Sequence, residues 1–392
     1  MKQNSTQQRI ETFSLAEARG LVKDLFKPNP TTYWADFLIT MAIGLIAFRL
    51  ATHAPGSFAW RVLAFVVCAL AYYRASIFTH ELVHLPSKSW KAFRIVWNLL
   101  CGIPFLMPSF TYYCHVDHHR RKHYGTFQDG EYMSLGAKPA YHIFLYLLQP
   151  FFVGPLAVFR YAVLAPLSWI CPPLRRFLIQ HASSLVMDPT YIRPLPPKRT
   201  LLIWRLQEAL CCAWVWGIAW VVWRGVVPIS GMPVPGDFLP KIYLLSVAIL
   251  MLNGIRTMAA HRFVWSREEE LSFAEQMVDS INHPDSRVFG PLWAPVGQRY
   301  HALHHLFPSL PYHNLATAHQ RLMEGLPGDS AYRLTVSPSL VTTLRELWSN
   351  ARRVSAQAKR AASEAAAGVT GGLTQAGPPK PHHAALRHGT RV

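Results

Sequence analysis

A chain of 392 residues has room for two or three soluble domains, yet 51% of it is hydrophobic, 13 residues are Trp and only 15% are charged, which places it among membrane proteins. The formal net charge of +18 suggests nucleic acid, but no basic stripe with interleaved aromatics and no nucleic-acid-binding motif accompanies it, so that partner is excluded. Lys and Arg gathered in residues 120–122, 175–205 and 352–391 fit the cytoplasmic face of a membrane enzyme instead.

Residues 1–30 are polar and lack the apolar core of a cleavable signal peptide. Their capping box, Ser14-Leu-Ala-Glu17, with apolar Leu15, Leu21, Val22, Leu25 and Phe26, predicts a short amphipathic helix lying on the membrane surface. Four stretches then have the length and apolarity to cross a bilayer, roughly residues 33–54, 58–79, 206–226 and 242–260. With a cytoplasmic N-terminus, the Lys/Arg-poor turn at 53–58 and the loop 228–240 fall outside, and His80 emerges inside.

Two more apolar stretches, 93–110 and 141–170, are expected to be interfacial or re-entrant. A single crossing by either would separate histidines that share a pattern. Pro150, Pro155 and Pro166 also interrupt the second. Residues 31–325 form the membrane domain, 326–350 a C-terminal cytoplasmic segment, and 351–392 an expected disordered basic tail, at most partly helical near 354–367. The predicted architecture is an all-α integral membrane protein: four transmembrane helices, interfacial or re-entrant helices, and a cytoplasmic histidine-rich cap. The six cysteines make no CxxC pair and most lie in apolar runs, which points to packing.

Chemistry is carried by three histidine clusters: His80-Glu-Leu-Val-His84, His115-Val-Asp-His118-His119 and His301-Ala-Leu-His304-His305. Spacings of three and four bring imidazoles to one face of a helix. Eight such nitrogens exceed what one ion can use, so a two-metal site is expected, with His261 as a further ligand. His123 lies one turn after His119 and is a candidate ligand or supporting group. His142, His181, His283, His313 and His319 have no such neighbours in sequence and are expected to be ordinary packing or surface residues.

The first cluster also spells HExxH, the zinc-protease signature, in which Glu81 would act as general base. That chemistry needs one zinc and leaves most of the clustered histidines without a role.

The order HxxxH, HxxHH, HxxHH, with two spans before the first box and two between the second and third, resembles the membrane fatty acid desaturase and hydroxylase superfamily over roughly residues 30–325. The most specific stretch is residues 299–315, RYHALHHLFPSLPYHNL, similar to the desaturase third box. The resemblance implies a non-haem di-iron centre held by His80, His84, His115, His118, His119, His261, His301, His304 and His305, with O2 as co-substrate. Thr257 stands where some relatives place an Asn, and Asn253 could substitute. Glu81, Asp117 and Glu131 are candidates to orient imidazoles. The implied activity is oxidation of an acyl chain, with desaturation favoured over hydroxylation or ketolation on the third box. No fused haem or iron–sulfur motif is visible, so a separate ferredoxin, rubredoxin or cytochrome-type donor is implied.

Overall fold

The computed structural model describes residues 2–53, 56–228, 231–265, 270–284 and 288–373. Among them there is no strand: helices are joined by loops, with isolated bridges such as His261 to Ser280 and Asn282 to Tyr300. Five helical runs are long and apolar enough to cross a membrane: Pro30–His53, Phe58–His84, Tyr141–Ile170, Lys198–Arg224 and Phe238–Met258. Their outward faces are apolar, with Ile39, Leu45, Ile46, Leu202, Leu206 and Trp216 all exposed. A belt of that extent is stable facing lipid and not water. The protein is an integral membrane protein.

The first two helices form a tight hairpin. Ser57 caps the second by accepting from Trp60 N at 3.3 Å. Small residues at the seam (Gly44, Ala47, Ala51, Ala71 and Ala75) let the backbones approach. At Gly44 a Cβ would come within 2.4 Å of the Tyr72 ring. Arg74, which could have snorkelled to the interface, instead binds Asp36 through Nε at 2.8 Å, and the Tyr312 hydroxyl donates to the same carboxylate at 2.7 Å. The last two turns of Phe58–His84 are almost wholly buried, because they leave the lipid and enter the cap.

The stretch 93–110 does not span. Its helix turns at residues 103–107 and folds back, so that Asn98 Oδ1 accepts from Ser109 N at 2.8 Å. Tyr141–Ile170 is continuous helix despite its prolines, the backbone loosening into a wide turn at Arg160–Leu164. It meets the length and composition of a span, a fifth beside the four expected. The chain before the segment is tied to the C-terminal helix, Ala140 N donating to Ser355 Oγ, and the chain returns to the second box only after the next helix, Pro172–His181, where Leu185 N donates to Thr111 O.

Arg160 from that segment and Arg175 from the helix after it converge on Glu208 at 2.6 and 2.5 Å, with the carboxylate fully buried. Glu208→Leu would strand two buried guanidinium groups. A loss of about 3–5 kcal/mol is expected, read as a drop in the melting temperature of the detergent-solubilised protein. An unchanged melting temperature would show that this triad does not hold these helices together.

Two expectations at the termini are corrected. The helix Leu15–Val22 is capped by Ser14 as predicted, but its apolar face is spent on protein: Ala18 and Val22 are buried, and Arg321 on the helix Leu315–Gly325 bonds Asp24 at 2.6 Å. An apolar stripe that finds a complementary protein face has no need of lipid. The basic tail is helical from Leu340 to Leu373, with Leu347 and Ala351 packed in a core cluster. Ala, the strongest helix former, recurs through 351–367 and accounts for the helix. Residues 374–392 lie outside the described residues.

Candidate metal centre

The nine histidines of the three boxes and the lone position meet at the end of the first hairpin away from its connecting turn, in two adjoining groups. His80, His84, His115, His119 and His304 form one, and His118, His261, His301 and His305 the other; within each, the ligand-type nitrogens lie within 4.8 Å of one another. The second and third boxes split their histidines by helical angle, while both histidines of the first join one group. His118 and His119, adjacent in sequence, face different groups, as do His304 and His305.

The chain reaches this point by four routes. His80 and His84 ride the last turns of Phe58–His84. His115–His118 is a single helical turn after the folded-back segment. Phe238–Met258 ends before His261, which is held in extended chain by its bridge to Ser280. The short helix His301–Leu306 follows Gly297, whose φ of 71° and closeness to Leu315 demand a residue without Cβ.

Carboxylates set the ring orientations. His115 Nδ1 lies 2.9 Å from Glu131 Oε1, and His118 Nδ1 lies 2.8 Å from Asp129 Oδ2. A carboxylate accepts only, so these rings carry their proton on Nδ1 and present a bare Nε2 lone pair. His261 is fixed likewise: Tyr124 donates its hydroxyl proton to Asp279 at 2.7 Å and accepts from His261 Nδ1 at 2.9 Å.

The Nε2 atoms then face one another at 2.9 to 3.2 Å: His115 to His119 to His304 in one group, His118 to His261 to His301 to His305 in the other. Facing lone pairs repel at that range unless a cation sits between them. Nitrogens about 2.1 Å from a shared ion and at right angles to each other stand about 3.0 Å apart, which is the spacing found. His80 and His84 add buried Nε2 atoms with no protein hydrogen-bond partner. Glu81, Asp129, Glu131 and Asp279 bring four carboxylates around the neutral imidazoles, the charge that two divalent ions balance. The donor set fits a pair of transition-metal ions.

Electrostatics agree. Burial, with neighbouring imidazoles, holds His119, His261, His301, His304 and His305 well below the ordinary histidine range, in the neutral form that binds metal. Burial also opposes charge on His118, but Asp129, Glu131 and Asp279 outweigh it and raise that group. Burial pushes Asp279 up to about 6.

The supporting residues differ from several expected ones. Asp117 and His123 bond each other at 3.2 Å and line a cavity on the far side of the second box, outside both groups. Asn253 accepts from Arg256 Nη2 at 2.8 Å and is also outside. Counting helical turns back from His261 fails because the helix has already ended. Glu81 accepts from the Tyr33 hydroxyl and from Tyr312 N, with His80 Nδ1 at 3.7 Å, beyond hydrogen-bond length. It ties the first helix to the third-box loop and is not placed as the base of a zinc protease. Asp129, Asp279 and Tyr124 were missed; the only sequence signal was the acidic pair flanking Gly130 ten residues past the second box.

The model of the family described as Fatty acid desaturase matches residues 57–336. The chain belongs to the fatty acid desaturase family. Among curated proteins, a ceramide hydroxylase of Caulobacter vibrioides is 37% identical over 349 residues, 88% of this chain and 95% of that protein. The sphingolipid delta(4)-desaturase/C4-monooxygenases DES2 of Homo sapiens and Bos taurus are 25% and 27% identical, each match covering 80% of both chains. No solved structure matches. This desaturase-family member is a membrane oxidoreductase of lipid metabolism, and the zinc-protease reading of HExxH falls away.

Proposed function

We propose that this protein is a di-iron hydroxylase of a ceramide-class lipid, its eight box histidines and His261 holding two iron ions on the cytoplasmic side of the membrane. One observation carries the choice of reaction: the match to the ceramide hydroxylase runs over 88% of the chain at 37% identity. The expectation of desaturation drawn from the third box gives way to it. Desaturation stays as the second reading, because the DES2 relatives are named for both activities.

Two ferrous ions supply, with O2 and two electrons, the oxidant that an unactivated C–H bond requires. Hydroxylation inserts one oxygen atom and releases one water; desaturation removes two hydrogens and releases two waters. The chain's own part is positional. Glu131, Asp129 and the Tyr124–Asp279 pair hold His115, His118 and His261 in the tautomer that offers Nε2. Buried aromatic residues around them, Tyr124, Tyr132 and Phe263 on one flank, exclude water. Electrons come from a separate ferredoxin, rubredoxin or cytochrome-type carrier, since the described cysteines are unpaired and scattered.

Lipid extracts of a host expressing the protein, compared with an empty host, decide the reaction. Ceramides heavier by one oxygen are expected. Ceramides lighter by two hydrogens would move the assignment to desaturation, and an unchanged profile with iron bound would reject both.

A further inference from the structure

Beside the second box, on the face turned away from the histidines, lies a cavity of about 1170 Å³. One wall is the turn His115–His118, through Val116 and Asp117; the other is residues 190–207, where the helix Lys198–Arg224 begins. Cavity and histidine cluster therefore sit on opposite sides of a single turn of helix, about 10 Å across.

The cavity contains a charge without a counter-charge. Arg193 is 6% exposed, donates to the carbonyl of Ser183, and stacks on Trp204 with its guanidinium carbon 4.2 Å from the ring centre. Among the described residues no carboxylate pairs with it. The acid nearest in effect is Asp117, already bonded to Arg120 at 2.9 Å and His123 at 3.2 Å. Of the other buried arginines, Arg160 and Arg175 share Glu208, and Arg256 is bonded by the side-chain carbonyls of Gln298 and Asn253. A buried guanidinium lacking an anion is costly unless a ligand brings one.

The neighbouring wall has the same preference. Pro197 and Thr200, at the start of a 27-residue helix, turn its positive end into the cavity. Lys91 stands exposed on the opposite wall, while Phe110 and Ile203 give apolar surface between.

We propose that this cavity seats the anionic, phosphate-bearing head of a membrane sphingolipid, with Arg193 as its fork-shaped partner, so that the lipid oxidised is the phosphorylated and not the neutral ceramide. A planar guanidinium held flat against an indole presents paired N–H groups suited to phosphate oxygens. The assignment rests on the reading of the protein as a ceramide-class oxidase.

The test measures binding of ceramide, ceramide phosphate and inorganic phosphate to the full-length protein in nanodiscs, for wild type, Arg193→Gln and Thr200→Asp. Wild type is expected to hold ceramide phosphate about tenfold more tightly than ceramide, with inorganic phosphate failing to displace it. Arg193→Gln should bring the two lipids level. Thr200→Asp places a carboxylate where a helix start tolerates it, and should lower the preference several-fold while the fold stays intact. Equal affinity in wild type, or a preference untouched by either variant, would overturn the proposal. Displacement by inorganic phosphate would reassign the cavity to a free anion. Should Arg193→Gln fail to fold, wild type and Thr200→Asp still decide. Binding is read without turnover, so selective capture with no oxidised product would refute the oxidase reading alone, and oxidation of neutral ceramide without anionic preference would refute the head site alone.

Discussion

His305→Ala is expected to abolish product and to lower bound iron from about two ions per chain to about one. His305 belongs to the four-membered group, with its Nε2 3.2 Å from that of His301. Removing it leaves three imidazoles for that ion, whereas the five-membered group keeps its full set. His304→Ala is the reciprocal case: it leaves four donors in its own group and should retain more iron than His305→Ala while still losing activity. His313→Ala is the control. His313 is held by Asn29 N at 3.1 Å, away from both groups, and its loss should leave iron and turnover unchanged. Metal analysis of detergent-purified protein gives the stoichiometry, and lipid analysis gives the product. Full iron with full activity in His305→Ala would refute its role, and one zinc with no iron in wild type would refute the di-iron centre.

Asp129→Asn is expected to weaken metal retention about 10- to 100-fold without touching any imidazole. Asp129 is 1% exposed and fully engaged: one oxygen accepts from His118 Nδ1 at 2.8 Å and Gly125 N at 3.0 Å, the other from Glu131 N at 2.9 Å. A carboxamide forfeits the charge and turns one acceptor into a donor, which faces either the ring N–H or a backbone N–H. His118 would then lose the bond that aims its Nε2 at the four-membered group. Chelator titration of iron-loaded protein measures the effect. Asp117→Asn, one residue from the same histidine, should retain iron within about twofold, because Asp117 faces the cavity and not the centre. Equal losses in both variants would mean that local folding, and not ring orientation, sets metal retention.

Why the sequence could single out the nine histidines and not their supports follows from range. HxxxH and HxxHH are local patterns, legible because a helix returns to the same face every three or four residues. Asp279 reaches His261 through Tyr124, 155 residues away, and that contact exists only once the chain has folded. Asp117 and His123 were also singled out by position, but that they pair with each other, and on which side of the turn, was not legible. The same limit explains the termini. The apolar stripe of Leu15–Val22 was plain, but whether lipid or the helix Leu315–Gly325 would cover it depended on a partner 300 residues downstream.

The sequence by itself determined four of the apolar helices and the stock of imidazoles, because hydropathy and helical period act over a few residues. Only the tertiary structure decided how that stock divides. Adjacent histidines such as His118 and His119 are sent to different groups by a rotation of about 100° per residue, and that division has meaning only when the first, third and lone positions arrive from other parts of the chain to complete each set.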